Sequence, residues 1–414
     1  MNNYGSIEDL ELIIKKDINK NNSNNNPYNK FFDFIYDKKS STYFIKASIF
    51  DKTIYNNIKN DFNSKKNFSK KELSCIGSML GMAIGDAMGA RVEFLPLNYQ
   101  YNKITDMGDT TSGKFNLEPG QWTDDTSMGL CIADSLITKK GEFHPRDIMM
   151  RFILWWNYGY NNAFRNSIPR HSVGLGGNIS GSIFNYISNF GKDKYTKSGN
   201  KYTSGNGSIM RNAAIPICYH YDINLARKYA NLQSKITHQG DEAAYCCELL
   251  TYIIVKILKG NDLKEILNNL GEFKCECESV NYLANSKQEG NDKNRNWNWK
   301  DKNFTYSEER VRKNPGYIGS YCMDGLSMAL HVLYTTNSFK DAILKAVNLR
   351  GDADSVGSVV GQIAGAFYGV NNIPNDWIQK IQKWDNNEIA LRGYLLYHLF
   401  DNINENSSDK LSNK

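Results

Sequence analysis

The sequence predicts an all-α protein, a compact bundle of many helices joined by long loops. Apolar residues recur with a helical period along most of the chain, and the alternation typical of strands is scarce. Two stripes of glycine recur at every fourth position, which places each stripe on one face of a helix. Each glycine costs a helix about 1 kcal/mol relative to alanine, so close packing of two helices is expected to offset the loss. The stripes are Gly77, Gly81, Gly85 and Gly89, and Gly357, Gly361, Gly365 and Gly369.

Composition divides the chain into an extension, a main domain and a short tail. Residues 1–72 are rich in Asn and Lys and carry a net charge of +4, against +6 for the whole chain. Aromatic residues concentrated between positions 31 and 50 predict that this extension is partly ordered, with a loosely ordered tail as the alternative. The main domain is expected over residues 73–402, and residues 403–414 are expected to be disordered.

Charge and composition argue against several classes of protein. Beyond residue 72 the chain is nearly neutral and lacks the dense Lys/Arg stripe of a nucleic-acid binder. No apolar run reaches the roughly 20 residues that a membrane-spanning helix needs, and the N-terminus lacks a signal-peptide pattern. The 8 cysteines are scattered through apolar helical segments, as is typical of free thiols in a reducing compartment. The sequence therefore predicts a cytoplasmic protein with neither nucleic acid nor membrane as a partner.

Helical periodicity begins at Leu73 and continues through the first glycine stripe. Residues 95–121 contain many turn residues and predict a long loop. Shorter loops are expected at 174–178, 192–201 and 204–208. Residues 283–315 predict a polar surface insertion, in which Trp297 and Trp299 either anchor the segment or contact a ligand. Besides the two striped helices, helices are predicted at about 125–139, 146–157, 223–233, 240–258, 262–270, 318–334, 338–348, 374–383 and 387–402.

Two acidic clusters each precede an apolar helical pattern. The first is Thr123-Asp124-Asp125, and the second is Asp352-Ala353-Asp354-Ser355. Four carboxylates gathered at one site would repel one another unless cations neutralise them. Carboxylate and hydroxyl oxygens suit Mg²⁺ or Mn²⁺, and two similar clusters predict two ions that share ligands. The alternative is that these residues are ordinary helix N-caps, whose oxygens bond free backbone N–H groups.

Five motifs then occur in the order found in the ADP-ribosylglycohydrolases, and the chain resembles that family from about Leu73 to Phe400. The resemblance does not reach residues 1–72 and does not clearly cover the insertion at 283–315. The motifs are Gly85-Asp86-Ala87-Met88-Gly89, Gly120-Gln121-Trp122-Thr123-Asp124-Asp125-Thr126, Gly205-Asn206-Gly207-Ser208-Ile209-Met210-Arg211, Thr237-His238 and Gly351-Asp352-Ala353-Asp354-Ser355.

The resemblance implies two Mg²⁺ ions at the base of a cleft, where they would bind the ribose hydroxyls of the substrate. The transition state would resemble an oxocarbenium ion, with carboxylates such as Asp124 and Asp125 stabilising it. Glu93 matches a Glu on a mobile flap and would hold the water or protonate the leaving group. The alternative for Glu93 is a solvated residue at a helix end. The implied ion ligands are Thr123, Asp124, Asp125, Asp352, Asp354 and Ser355.

The glycine-rich loops would bind the rest of the ligand, because their backbone N–H groups suit a diphosphate. The resemblance places His238 near the adenosine half of the ADP-ribose ligand, although a lone His is more often structural. At 175–176 the chain departs from many bacterial relatives, which have an Asp before the Gly-Asn pair. The implied substrate-binding residues are Gly174, Gly176, Ser204, Gly205, Asn206 and His238.

The predicted activity is hydrolysis of the glycosidic bond between ADP-ribose and an acceptor, with an arginine side chain as the first candidate and serine as the second. Free O-acetyl-ADP-ribose is also left open. Three alternatives remain: a catalytically silent ADP-ribose-binding module, a structural member like the lens crystallins of this family, and a two-metal phosphohydrolase that would release AMP. The family pattern predicts a monomer.

Overall fold

The computed structural model describes residues 34–37, 42–45, 59–100, 103–164, 172–189, 191–385 and 387–399. Within these residues the fold is all-α, as predicted, and the only strands form one antiparallel pair in the extension, β1 (Phe34–Asp37) with β2 (Thr42–Ile45). Residues 1–33, 38–41 and 46–58 of the predicted extension, and the predicted tail at 403–414, lie outside the described residues.

The helices are numbered in chain order. They are α1 (Lys70–Gly89), α2 (Asp124–Thr138), α3 (Pro145–Tyr158), α4 (Gly177–Ser188), α5 (Ala214–Cys218), α6 (Ile223–Lys235), α7 (Asp241–Leu258), α8 (Leu263–Asn268), α9 (Glu278–Ala284), α10 (Glu308–Lys313), α11 (Cys322–Thr335), α12 (Phe339–Asn348), α13 (Ala353–Tyr368), α14 (Asn375–Asp385) and α15 (Glu388–His398).

Helix α1 begins with a reciprocal cap that the sequence encodes. The Glu72 backbone N–H donates to the Ser69 hydroxyl at 3.3 Å, and the Glu72 carboxylate accepts from the Ser69 backbone N–H at 2.6 Å. This arrangement satisfies two of the backbone donors that a helix start leaves free. The helix then runs almost entirely through the core as far as Gly89.

Helices α1 and α13 form the centre of the molecule and pack antiparallel along their glycine stripes. A Cβ atom built on Gly81 would lie 2.1 Å from the carbonyl oxygen of Gly361, and one built on Gly361 would lie 1.9 Å from that of Gly81. At one end of the pair Gly77 faces Gly365, and at the other Gly89 lies against Asp354. The two backbones therefore touch, and the C-terminal end of α1 meets the N-terminal end of α13.

Most predicted helices agree with the observed ones to within a few residues, and the differences have local causes. Helix α11 begins at Cys322 instead of about 318, because the preceding residues are extended and pair with another loop. The Cys322 backbone N–H donates to the Ser204 carbonyl at 3.1 Å, and the Asn206 N–H donates to the Ser320 carbonyl at 2.8 Å. Helix α13 ends one residue before Gly369, whose positive φ of 73° terminates it.

The segment at 283–315 is more regular than predicted and includes α10. Trp297 and Trp299 are both buried, and the Trp299 indole N–H donates to the Leu283 carbonyl at 2.7 Å. Arg310 of α10 makes two hydrogen bonds, at 2.7 and 2.6 Å, to the buried Asp324 carboxylate of α11. These contacts attach the segment to the helical core, and the two tryptophans act as its anchors.

All eight cysteines are free thiols, and six of them are buried. None of the described helices combines the length and the apolar character that crossing a bilayer requires.

Candidate active site and metal centre

A cavity of about 670 Å³ opens where the C-terminal end of α1 meets the N-terminal ends of α2 and α13. Its walls come from segments that are distant in the sequence, including both acidic clusters and both glycine-rich loops. The lining residues that matter for the site are Glu93, Asp124, Asp125, Gly174, Gly176, Gly205, Asn206, His238, Asp352, Asp354 and Ser355.

The start of α2 is capped from α1. The buried carboxylate of Asp86 accepts hydrogen bonds from the backbone N–H groups of Thr123 and Thr126, at 3.0 and 2.9 Å. It also accepts from the hydroxyls of the same two residues, at 2.8 and 2.6 Å. Asp86 thus satisfies two of the four free backbone donors at this helix start, so the side chains of Asp124 and Asp125 are not needed to cap these two.

The two N-cap positions do not show the capping role considered for the acidic clusters. Neither Thr123, at the N-cap position of α2, nor Asp352, at the N-cap position of α13, makes a side-chain capping hydrogen bond. Within the first turn of α13, Oδ1 of Asp354 accepts from the Ser355 backbone N–H at 2.9 Å. The Thr123 hydroxyl lies 3.4 Å from an Asp125 oxygen and 3.5 Å from an Asp354 oxygen. The oxygens of the two clusters therefore face one another.

Two overlapping groups of carboxylates have the spacing of a metal site. Oxygens of Asp86, Asp125 and Asp354 lie within 4.8 Å of one another, and so do oxygens of Glu93, Asp352 and Asp354. Asp354 belongs to both groups, as a ligand shared by two ions would. Two buried oxygens, Oε2 of Glu93 and Oδ1 of Asp125, have no hydrogen-bond partner. A set composed only of oxygen donors fits Mg²⁺ or Mn²⁺ better than zinc.

The electrostatics of the site also favour a cation. Burial, and then repulsion by neighbouring carboxylates, raise the pKa values of Asp124, Asp125 and Asp354 well above their usual range. Burial raises the pKa of Glu93 to about 9, with Asp352 and Asp124 adding to the shift. Among the described residues, none of these carboxylates forms an ion pair with a Lys or Arg side chain. A divalent cation would stabilise the ionised forms that burial disfavours.

Glu93 is held next to the second cluster by backbone hydrogen bonds. The N–H of Phe94, which has a positive φ of 64°, donates to the Gly351 carbonyl at 2.8 Å. In return the Gly351 N–H donates to the Leu95 carbonyl at 2.9 Å. Glu93 is only 8% exposed, so it is not the solvated residue of the alternative interpretation.

The first glycine-rich loop passes very close to the acidic clusters. A Cβ on Gly174, whose φ is 91°, would lie 2.0 Å from Oδ1 of Asp124. Only glycine combines this backbone conformation with the space that the Asp124 carboxylate occupies.

The second loop contacts the acidic site from the other side. The Asn206 side-chain amide donates to an Asp352 oxygen at 3.2 Å and to the Gly319 carbonyl at 3.1 Å. Asn206, predicted from the family resemblance to bind substrate, therefore also orients a carboxylate of the predicted metal site.

His238 is buried behind this second loop, and its ring reaches the cavity. Its Nδ1 lies 2.8 Å from the Thr237 hydroxyl, which accepts a hydrogen bond from Arg211 at 2.7 Å. Burial, with the nearby Arg211 charge, lowers the pKa of His238 to about 3. The imidazole is therefore neutral at physiological pH.

The structure brings most of the predicted site residues to one cavity, with two exceptions. Among the described residues, the cavity wall includes Gly205 and Asn206 but not Ser204, whose hydroxyl oxygen is buried beneath Gly240. Thr123 also lies below the wall, between the carboxylates. Four further residues complete the cavity and were not predicted. Lys114, Phe115 and Tyr317 lie in loops without a periodic sequence signal, and Trp156 lies near the end of α3.

Comparison with known proteins gives a consistent result. A family model described as ADP-ribosylglycohydrolase matches residues 69–406. The chain is 33% identical over 318 residues to the ADP-ribosylarginine hydrolase Tri1 of Pseudomonas putida (strain GB-1), covering 74% of this chain and 73% of that one. It is 28% identical over 312 residues to the ADP-ribosyl-[dinitrogen reductase] glycohydrolase of Rhodospirillum rubrum, covering 74% and 89%. It is 22% identical over 349 residues to ADP-ribosylhydrolase ARH3 of Mus musculus, covering 76% and 88%.

A solved structure also matches. It is named an ADP-ribosylglycohydrolase-related protein complex and aligns with a TM-score of 0.60 and 28% sequence identity. The alignment covers 80% of this chain and 99% of that one. The similarity therefore extends over nearly the whole of the matched structure.

Proposed function

The chain belongs to the ADP-ribosylglycohydrolase family, and on this premise we propose that it is a two-Mg²⁺ hydrolase that releases ADP-ribose from modified arginine side chains. Hydrolysis of the glycosidic bond of ADP-ribose is the activity that the family and its named members share. The two ions, their identity as magnesium and the arginine acceptor are the parts that we propose.

One observation carries the proposal: two acidic clusters from opposite ends of the domain face each other across a single cavity. Thr123, Asp124 and Asp125 would hold the ions from α2, and Asp352, Asp354 and Ser355 would hold them from α13. The unpartnered Oδ1 of Asp125 supports this assignment, because a buried carboxylate oxygen without a hydrogen bond or a cation is costly. When bound, the ions would polarise ribose hydroxyls and activate a water at neutral pH.

Glu93 is the residue that we propose moves the proton. Glu93 lines the cavity, and its buried Oε2 has no hydrogen-bond partner, so this oxygen is free to hold a proton for general acid catalysis. From this position Oε2 would give that proton to the leaving nitrogen of the arginine side chain. The carboxylates of Asp124 and Asp125, at the same cavity wall, would stabilise the positive charge that develops on the ribose ring.

The two glycine-rich loops would hold the substrate so that its scissile bond lies beside the acidic site. Backbone N–H groups at Gly174, Gly176 and Gly205 suit a diphosphate, and all three glycines line the cavity. Fixing the ribose between the loops and the ions removes the entropic cost of bringing the sugar and water together during the reaction.

One observation supports arginine as the acceptor. The relative named ADP-ribosylarginine hydrolase is 33% identical to this chain, whereas ARH3 is 22% identical. We further propose a monomer, as the family pattern predicts. A cytoplasmic location agrees with the free thiols.

The test is release of ADP-ribose from a protein modified on arginine, compared with one modified on serine, with Mg²⁺ or with EDTA. We expect Mg²⁺-dependent release from arginine and little release with EDTA. Asp125→Asn and Asp354→Asn should each lower the rate at least about 100-fold, because each removes charge that the ions require. Asp376→Asn, on the exposed face of α14, is the matched control and should leave the rate unchanged.

Mass spectrometry of the products separates the alternatives. Release of AMP instead of ADP-ribose would contradict glycosidic cleavage and indicate a phosphohydrolase. Tight binding of ADP-ribose without turnover of either substrate would indicate a binding module. Release from serine alone would overturn the assignment of the acceptor while leaving the hydrolytic activity intact.

A further inference from the structure

A buried chain of three side chains connects the core of the molecule to the cavity. Arg211 is completely buried, and its Nη2 donates to the Thr237 hydroxyl at 2.7 Å. The same guanidinium also donates to the side-chain oxygen and the backbone carbonyl of Gln233, both at 3.1 Å, and to the Met128 sulfur at 3.8 Å. The Thr237 hydroxyl in turn lies 2.8 Å from Nδ1 of His238.

Counting donors and acceptors fixes the direction of this chain. A guanidinium can only donate, so the Thr237 oxygen is the acceptor in its contact with Arg211. The Thr237 hydroxyl is buried, and its own hydrogen needs an acceptor. The acceptor within reach is Nδ1 of His238. Because a neutral imidazole carries its hydrogen on one nitrogen only, that hydrogen must then be on Nε2.

The Nε2 atom lies beside the second glycine-rich loop. It is 3.5 Å from where a Cβ on Gly205 would be, and 3.3 Å from where one on Gly207 would be. Both glycines line the cavity together with His238. The N–H of His238 therefore lies at the loop that suits a diphosphate.

We propose that Arg211 and Thr237 are positioning residues that hold His238 in its Nε2–H form, so that it donates a hydrogen bond to an anionic oxygen of the diphosphate. The identity of the ligand in this inference rests on the proposed function, whereas the tautomer does not depend on it. A neutral donor has an advantage here, since a charged imidazolium would be buried next to the Arg211 guanidinium. The lowered pKa of His238 agrees with a ring that stays neutral.

A second buried histidine supplies an internal reference. Nδ1 of His331 lies 2.9 Å from the Trp299 carbonyl oxygen, which can only accept. Burial lowers the pKa of His331 as well, so its ring is neutral with the hydrogen on Nδ1. The two histidines should therefore show opposite tautomers in a single spectrum.

The experiment is two-dimensional NMR of the intact protein with ¹⁵N-labelled histidine rings, which distinguishes protonated from bare ring nitrogens. His238→Gln and His331→Gln assign the two signals. We expect Nε2–H for His238 and Nδ1–H for His331. Addition of ADP-ribose with Mg²⁺ should shift the Nε2 proton of His238 and leave His331 unchanged.

Variants at Thr237 test the positioning role. Thr237→Val removes the hydroxyl with little change of shape, so His238 should lose its single tautomer and ADP-ribose should bind roughly tenfold more weakly. Thr237→Ser keeps the hydroxyl and should retain both the tautomer and the affinity. Thermal unfolding of both variants shows whether a loss of affinity comes from a loss of folded protein.

An Nδ1–H signal for His238 in the unchanged protein, or an unaltered tautomer in Thr237→Val, would overturn the positioning role. An Nε2 proton that does not respond to bound ADP-ribose would overturn the ligand contact. If ADP-ribose fails to bind at all, the proposed function fails, whereas the tautomer is still decided by the spectrum of the free protein.

Discussion

Three buried aspartates show three ways of keeping a carboxylate in the core. Asp134 pairs with the buried Arg392 at 2.7 Å, which helps to hold its pKa below the usual value in spite of its burial. Asp86 accepts hydrogen bonds from two backbone and two hydroxyl donors. Asp125 has neither arrangement, and its Oδ1 has no partner. Because an unpaired buried charge is costly, a bound cation would compensate the ionised form of Asp125.

The lack of compensating positive charge around the buried carboxylates also predicts how the metal-free protein responds to pH. Burial and the neighbouring carboxylates raise the pKa of Glu93 from its usual 4.5 to about 9. Between these two pH values Glu93 is protonated in the folded protein and ionised in the unfolded chain. The stability that this bound proton contributes is fully present below pH 4.5 and is lost as the pH rises to about 9. We expect the unfolding temperature in EDTA to be lower at pH 8.5 than at pH 5.5.

Glu93→Gln is the matched variant, because it keeps the shape of the side chain and removes its titration. Its unfolding temperature in EDTA should fall less between pH 5.5 and pH 8.5 than that of the unchanged protein. A metal-free protein that becomes more stable over this range would contradict the buried, proton-holding state of Glu93. Differential scanning fluorimetry in matched buffers makes the comparison.

At the scale of elements, the contact between α1 and α13 determines where the acidic site forms. The glycine stripes bring the two backbones together, and Gly89 at the end of α1 lies directly against Asp354. The same end of α1 carries Asp86, which caps α2 and so fixes the position of the first acidic cluster. One close helix pair therefore positions both halves of the site, and the cost of glycine in a helix is offset by that packing.

Gly81→Ala tests this packing directly. The added methyl group would lie 2.1 Å from the Gly361 carbonyl oxygen, and neither backbone can move without displacing its helix. We expect the free energy of unfolding to fall by at least about 2 kcal/mol, as in other overpacked cores. Urea denaturation followed by circular dichroism measures the change.

Gly177→Ala is the control for that substitution. Gly177 is also in a helix, the first turn of α4, but a Cβ there would meet nothing within 4 Å. Its free energy of unfolding should stay the same or rise slightly, since alanine favours a helix. If Gly81→Ala and Gly177→Ala lowered the free energy of unfolding equally, the glycine stripe would not be needed for the close packing of α1 against α13.

At the scale of the whole molecule, the sequence predicts helices better than it predicts contacts between them. Helix α7 was expected at 240–258 and lies at Asp241–Leu258, because its apolar period is strong. Helix α10 was missed, since it consists almost entirely of charged residues, buries none of them and so shows no apolar period. That the two acidic clusters meet could be predicted from the sequence, because their carboxylates would repel one another unless they share a cation. The hydrogen-bond partners of Asp86 and the Arg211–Thr237–His238 chain could not be predicted, since they depend on how folded helices cross.

The last prediction concerns how the ions would join the molecule. The two acidic clusters lie at the starts of α2 and α13 and meet only in the folded state, so ions bound between them would stabilise that state against unfolding. Mg²⁺ at about 100 times its dissociation constant should add about 2.7 kcal/mol for one site, and the unfolding temperature should rise with its concentration. Asp354→Asn, which changes the residue common to both groups, should abolish the rise, and Asp376→Asn should keep it. An unfolding temperature indifferent to Mg²⁺ and Mn²⁺ would mean that the clusters hold no ion, and their unpaired carboxylates would then need another explanation.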